Sequence, residues 1–353
     1  MPYFFQQKRS SQWEMVDDRQ EERWLEAVYS NTALVTVLGD GGPISSSSQP
    51  SLMIRMLEAL DVRPGNRVLE IGTGTGYNAA LLSARLGDAD VYSVDVDGGL
   101  IALARDRLAE IGLEPTLRAV DGEEGLPEFA PYDRIIATCS VPVVPWAWAE
   151  QLTPGGLVLV DVKRGGFGGN LVLLRRVVDG LMGRFLPDWA TFMPMRHEGR
   201  PASAVPGATN TEVAETVTEL DPEPWTNQVP WFLAQLTSSQ PMSHGYVLDA
   251  VRGVPTHARL TALDGSWCTV SLRLEGHTHV VRQAGPLRLW DLVKAAHEQW
   301  IALDRPQWTR LGLTVERDRQ WIWVDAPENA VARLGHAADP DVEVGSPAST
   351  PRR

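Results

Sequence analysis

The chain has 353 residues, 43% of them hydrophobic and 22% charged, with a formal net charge of -13. That length points to more than one domain of ordinary globular composition, and no apolar run is long enough to cross a bilayer. The acidity argues against nucleic acid as a partner, since no run of Lys and Arg offsets it. Two cysteines, Cys139 and Cys268, provide neither a disulfide framework nor a metal quartet, so no metal is expected. The first residues lack the basic-then-apolar layout of a secretory signal, and a cytoplasmic location is expected.

In chain order, Trp13, Val16, Trp24, Leu25 and Val28 fall at helical spacing, which predicts a helix over residues 11–29. The Gly- and Ser-rich stretch 39–49 reads as a loop. Pro50 and Ser51 open a helix with Leu52, Met53, Met56, Leu57 and Leu60 on one side. From residue 66 the pattern alternates. Strands are expected at 67–72, 91–97, 116–120, 132–139 and 157–163. Helices are expected at 77–87, 99–112 and 144–152, and 171–177 reads as a hairpin partner. Strands alternating with helices imply a parallel sheet with right-handed crossovers, an α/β fold.

The rhythm stops near residue 205. Residues 201–224 read as a Pro- and Ala-rich connector. Region 222–328 follows as a smaller Trp-rich α+β domain, with strands at 258–264, 267–276 and 278–283, one helix at 287–304 and a closing hairpin at 311–327. The expected organisation is thus an N-terminal segment 1–50, a main domain 51–205, a second domain 222–328 and a disordered tail 329–353.

The chemistry is carried by Glu70-Ile71-Gly72-Thr73-Gly74-Thr75-Gly76-Tyr77, where a buried strand enters a glycine-rich turn and then a helix. Ligands of open α/β sheets bind at this carboxyl end of the strands. The dinucleotide fingerprint is G-x-G-x-x-G and presents a pyrophosphate to a helix N-terminus. Here the spacing is G-x-G-x-G, with Glu70 two positions before the first glycine. A carboxylate there repels pyrophosphate and suits a cationic ligand. The motif resembles motif I of class I methyltransferases, whose ligand, S-adenosyl-L-methionine, carries a sulfonium and an ammonium. The product would be S-adenosyl-L-homocysteine. Asp95, with Val96, ends the second strand nineteen residues after Gly76, where a carboxylate can accept both ribose hydroxyls. Asp121-Gly122 follows the third strand, where methyltransferases hold the adenine edge.

Residues 30–165 resemble protein-L-isoaspartate O-methyltransferases in order and spacing throughout. The resemblance implies a Rossmann-like domain and a peptide carboxylate as acceptor. That family's substrate loop carries Thr-Ile-Ser. Pro43-Ile44-Ser45 stands here, followed by Ser46, Ser47 and Ser48. Ser45 matches the family serine, and Ser45, Ser46 and Ser47 are the candidates for orienting the acceptor. Ser48 reads as a helix cap.

The serine run 45–50, residues 72–82, residues 183–196 and residues 313–327 look like the homologues that accompany ribosomally made peptides. Graspetide-associated enzymes are the nearer resemblance and lanthipeptide-associated ones the alternative. This implies methylation of an aspartate in a cyclised precursor peptide, with the ester collapsing to an aspartimide. Protein repair at isoaspartate is the other reading. Cys139 and Cys268 read as core residues, His197 as a surface histidine, and Trp146 and Trp148 as either core or a wall of the peptide channel.

Overall fold

The computed structural model describes residues 2–6, 13–39, 42–165, 168–197 and 212–335. The chain opens with β1 (Tyr3–Gln6), β2 (Trp13–Val16), α1 (Glu21–Val28), β3 (Leu34–Gly39) and β4 (Gly42–Ser47). These strands make a small antiparallel sheet in the order β2-β1-β3-β4.

Two sequence expectations are corrected here. The predicted helix 11–29 is a strand followed by a shorter helix. Tyr3 pairs with Val16, which is fully buried, so the strand partner supplied by β1 overrides the helical spacing. Asp17 then caps a 3-10 turn by accepting from the Arg19 amide. The predicted loop 39–49 contains β4, because β3 offers a ladder that pairs Val35 with Ser46 and Val37 with Ser45. Serine has little strand preference of its own, so composition concealed the element.

The central run is α2 (Pro50–Ala59), β5 (Val68–Ile71), α3 (Tyr77–Leu86), β6 (Val91–Asp95), α4 (Gly98–Glu110), β7 (Thr116–Ala119), β8 (Tyr132–Val141), α5 (Trp146–Glu150) and β9 (Leu152–Val162). β9, β8, β5, β6 and β7 pair in parallel, as expected from the alternation. β5 and β6 are buried at every position, as sheet interiors covered on both faces must be. β10 (Asn170–Val177) and β11 (Gly180–Phe185) add an antiparallel hairpin, of which only the first strand was foreseen.

Beyond the connector come β12 (Ala214–Thr218), α6 (Gln228–Thr237), β13 (Met242–Leu248), β14 (Pro255–Ala262), β15 (Trp267–Ser271), β16 (His279–Ala284) and α7 (Leu289–Ala302). Five strands form a separate antiparallel sheet in the order β12-β16-β15-β14-β13. α6 was not foreseen. It buries Val229 through Leu236 without a break, so it has no polar face and no helical stripe to read. Phe232 and Leu236 join the main core, while Trp231 and Leu233 join the core of the second sheet.

β17 (Leu311–Val315) and β18 (Gln320–Val324) form the expected hairpin, but not within the second sheet. Leu181 pairs with Val315, so the hairpin extends the main sheet to ten strands, ordered β19-β18-β17-β11-β10-β9-β8-β5-β6-β7. β19 (Ala330–Leu334) is the edge strand, so the expected tail starts later than residue 329; the rest of it, like much of the connector, lies outside the described residues. The Gln320 amide seals the hairpin to the loop after β8: the Val144 N–H donates to its oxygen at 3.0 Å, and its nitrogen donates to the Val144 carbonyl at 2.7 Å. Among the described residues, no helix is long and apolar enough to cross a membrane.

Candidate active site

A cavity of about 360 Å³ opens at the carboxyl ends of β5, β6 and β8. Its floor is the glycine-rich turn. Gly72 and Gly76 have φ of +97° and +83°, and a Cβ on Gly72 would lie 2.8 Å from the Thr138 hydroxyl oxygen, so both positions require glycine.

Glu70 is wholly buried on β5. The Asn78 amide donates to it at 2.8 Å and the Ser93 hydroxyl at 2.5 Å; Ser93 is in turn 2.6 Å from the Thr73 hydroxyl. Burial pushes the Glu70 carboxyl up to about 7 against the pull of these two donors. The Asn78 side-chain oxygen is buried without a partner among the described residues, beside that carboxylate. A buried acid and an orphaned acceptor on one wall fit an ammonium or sulfonium group.

A pH dependence follows. Glu70 is raised from 4.5 to about 7 on folding, so its ionisation disfavours the ligand-free fold increasingly as pH rises across that window. The same ionisation attracts a cation. Affinity for S-adenosyl-L-homocysteine, which keeps the ammonium, is therefore expected to rise with pH through about 7. Calorimetric titration across that range checks it, and Glu70→Gln should flatten the profile.

Asp95 is nearly buried at the end of β6. It accepts from the Gly74 amide at 3.0 Å and the Asp97 amide at 3.1 Å. Val96 also lines the cavity. Asp97 caps α4 through the Gly99 and Leu100 amides. Gly122 lines the far end, and a Cβ there would meet Ile71 at 2.5 Å and the Met195 sulfur at 3.5 Å.

β4 and the start of α2 form the opposite wall. Ser45 is buried, its oxygen 3.3 Å from the donating Thr36 hydroxyl and 3.6 Å from a Cβ built on Gly74. Ser46 and Ser48 line the cavity as well.

Of the residues predicted from sequence, the cavity thus gathers Ser45, Ser46, Glu70, Gly72, Thr73, Gly74, Tyr77, Asp95, Val96 and Gly122. Ser47, Gly76 and Asp121 are not in its lining, and Ser48, read as a cap, takes the place of Ser47. Gly76 lies behind the turn against Ala104. The Asp121 carboxylate faces away to accept from the Glu123 amide and to pair with His197, 3.0 Å from Nδ1.

Trp148 is fully buried and donates to the Gly122 carbonyl at 2.8 Å, so it supports that part of the cavity wall from below. Trp146 carries the Arg176 and Arg317 guanidiniums near its ring. Neither tryptophan lines the cavity. Cys139 does, but burial pushes its thiol up to about 12, which leaves it protonated and unreactive.

The strap 189–196 was missed as a functional element. Tertiary contacts hold it over the cavity, and its local sequence carries no periodicity. The Ser140 amide donates to the Met193 carbonyl and the Met195 amide to the Ser140 carbonyl. At its far end Arg196 lies 3.5 Å from Asp95 and 3.8 Å from Asp97.

Residues 14–186 match the sequence profile of the family described as protein-L-isoaspartate(D-aspartate) O-methyltransferase. The protein-L-isoaspartate O-methyltransferase of Halorhodospira halophila is 44% identical over 164 residues, 46% of this chain and 69% of that one. The chain belongs to this family. The enzyme of that name from Thermotoga maritima is 42% identical over 154 residues, 43% of this chain and 46% of its own length. This chain therefore spans about half of that relative. A solved protein-L-isoaspartate O-methyltransferase structure superposes with a TM-score of 0.50 at 25% identity, covering 86% of this chain and 89% of that one. That coverage extends beyond residue 186, so the C-terminal region does not set this chain apart from enzymes of that name. The family comprises S-adenosylmethionine-dependent carboxyl methyltransferases, and S-adenosylmethionine is the cofactor for which Glu70, Asn78 and Asp95 are suited.

Proposed function

We propose that this protein is an S-adenosylmethionine-dependent carboxyl methyltransferase acting on L-isoaspartyl residues of peptides and proteins. The observation that carries the reading is Ser45, a buried hydroxyl next to the glycine-rich turn, at the place where the family's substrate loop has its serine. The relatives' names favour the isoaspartyl acceptor. Aspartate methylation in a maturing peptide rests on the likeness to peptide-maturation homologues, which the relatives' names do not repeat, and the two departures from the repair family, at Pro43 and in the Trp-rich region, carry little weight against isoaspartate. Pro43, which replaces the family threonine, is exposed and outside the cavity lining. The Trp-rich region has a counterpart in a solved enzyme of the family name.

The cofactor supplies an electrophilic methyl on a positively charged sulfur. The acceptor of an isoaspartyl residue is an α-carboxylate with pKa about 3.5, ionised at neutral pH without a general base. What remains for the protein is alignment and exclusion of water. Hydroxyls such as Ser45 and Ser46 orient a carboxylate without the tight charge pairing that an arginine would impose on the attacking oxygen. The resulting ester can then lose methanol to the neighbouring backbone amide and close to a succinimide.

The test is methyl transfer to a pair of peptides identical except for isoaspartyl or aspartyl linkage. Turnover of the isoaspartyl peptide alone is expected. Preference for the aspartyl peptide would overturn the reading in favour of peptide maturation. In the same assay, Ser45→Ala should lower turnover about tenfold, the loss of one hydrogen bond to a charged group, while affinity for S-adenosyl-L-homocysteine stays unchanged.

A further inference from the structure

Beneath the strap lies an ion pair that the reaction as described does not use. Asp161 and Lys163, at the end of β9, are almost wholly buried, with Nζ 3.4 Å from the Asp161 carboxylate. Asp161 also accepts from the Phe192 amide at 2.9 Å. Lys163 donates to the Phe192 carbonyl and, at 2.6 Å, to the Thr191 hydroxyl oxygen. Both charges are thus spent on two consecutive strap residues.

The ammonium has three donors and no acceptor. In the contact with Lys163, Thr191 Oγ1 can only accept, so its own hydrogen must point elsewhere. Thr191 lines the cavity and is partly exposed to it. The ends of the strap say which part of the cavity it faces. Arg196, at one end, pairs with the acid expected to hold the ribose. Asp188, just before the other end, lies 3.1 Å from Arg55 of α2, the helix that follows the serine strand. Thr191 therefore stands at the serine end.

We propose that Thr191 is a second hydroxyl donor to the acceptor carboxylate, aimed by Lys163, with Asp161 balancing the buried charge. The assignment rests on the carboxyl-acceptor reading above. It adds an acceptor contact from the strap to those from the serine strand. Thr191 binds substrate directly. Lys163 and Asp161 are positioning residues.

The experiment measures methylation of the isoaspartyl peptide by the full chain, with S-adenosyl-L-homocysteine affinity read separately by calorimetry. Thr191→Val should raise KM for the peptide about tenfold, one hydrogen bond to a charged group, with cofactor affinity unchanged. Thr191→Ser should restore the wild-type KM. The charge-neutral double variant Asp161→Asn, Lys163→Met should raise KM similarly, and adding Thr191→Val to it should cost little more. An active wild type whose Thr191→Val variant keeps its KM and kcat overturns the Thr191 assignment alone. So does a variant that loses cofactor affinity as much as peptide affinity. A wild type that methylates no isoaspartyl peptide overturns the proposed function and this assignment together.

Discussion

Replacing Asp95 by alanine is expected to weaken cofactor affinity by about 100-fold. Two ribose hydroxyls donating to one carboxylate contribute about 1.5 kcal/mol or more each, and together about 3 kcal/mol corresponds to that factor. The same carboxylate accepts from the Gly74 and Asp97 amides, so its loss also loosens the glycine-rich turn. Asp95→Asn keeps a neutral acceptor and should fall between wild type and alanine. Calorimetric titration with S-adenosyl-L-homocysteine measures all three. A change of less than about fivefold in Asp95→Ala, under 1 kcal/mol, would remove Asp95 from the ribose site.

The largest effect on stability is expected at Lys163. Methionine there preserves the apolar stem and deletes the charge, leaving the Asp161 carboxylate buried with one oxygen unpartnered among the described residues. An uncompensated buried charge costs about 3–5 kcal/mol. Burial already pushes the Asp161 carboxyl above its ordinary value, with Lys163 the main opposing influence. Without Lys163 that value climbs further, so the folded state binds a proton more tightly than the unfolded chain. The deficit of Lys163→Met should therefore shrink as pH falls. Asp161→Asn combined with Lys163→Met removes both charges and should recover most of the loss. Urea midpoints at two pH values check each variant. Equal stability for Lys163→Met and wild type would overturn the ionised state of Asp161 and Lys163 in the fold.

These expectations differ in how far they could be read from residues alone. Glu70, the three glycines and Asp95 are legible because the motif is local. A strand, a tight turn and a helix N-terminus come within ten residues, and the acid of the next strand follows at a spacing set by one crossover helix. Ser45 was legible only through its resemblance to a family loop, since serines in a Gly-rich stretch read equally well as a linker. The neighbours that surround it, Thr36 across the ladder and Gly74 on the facing turn, come together only on folding.

Sequence by itself determined the parallel α/β core, the glycine-rich turn after β5 and the existence of the C-terminal hairpin. Each rests on periodicity or on residues near one another in the chain. Only the tertiary structure decided that the hairpin extends the main sheet, that the N-terminal residues pair as strands, that α6 exists and that the strap 189–196 covers the cavity. Those outcomes depend on hydrogen-bond partners and buried surfaces supplied by distant segments, which no local pattern encodes. Lys163 illustrates the difference: in the sequence it is one cation after a strand, and in the fold it is a buried anchor for a segment almost thirty residues away.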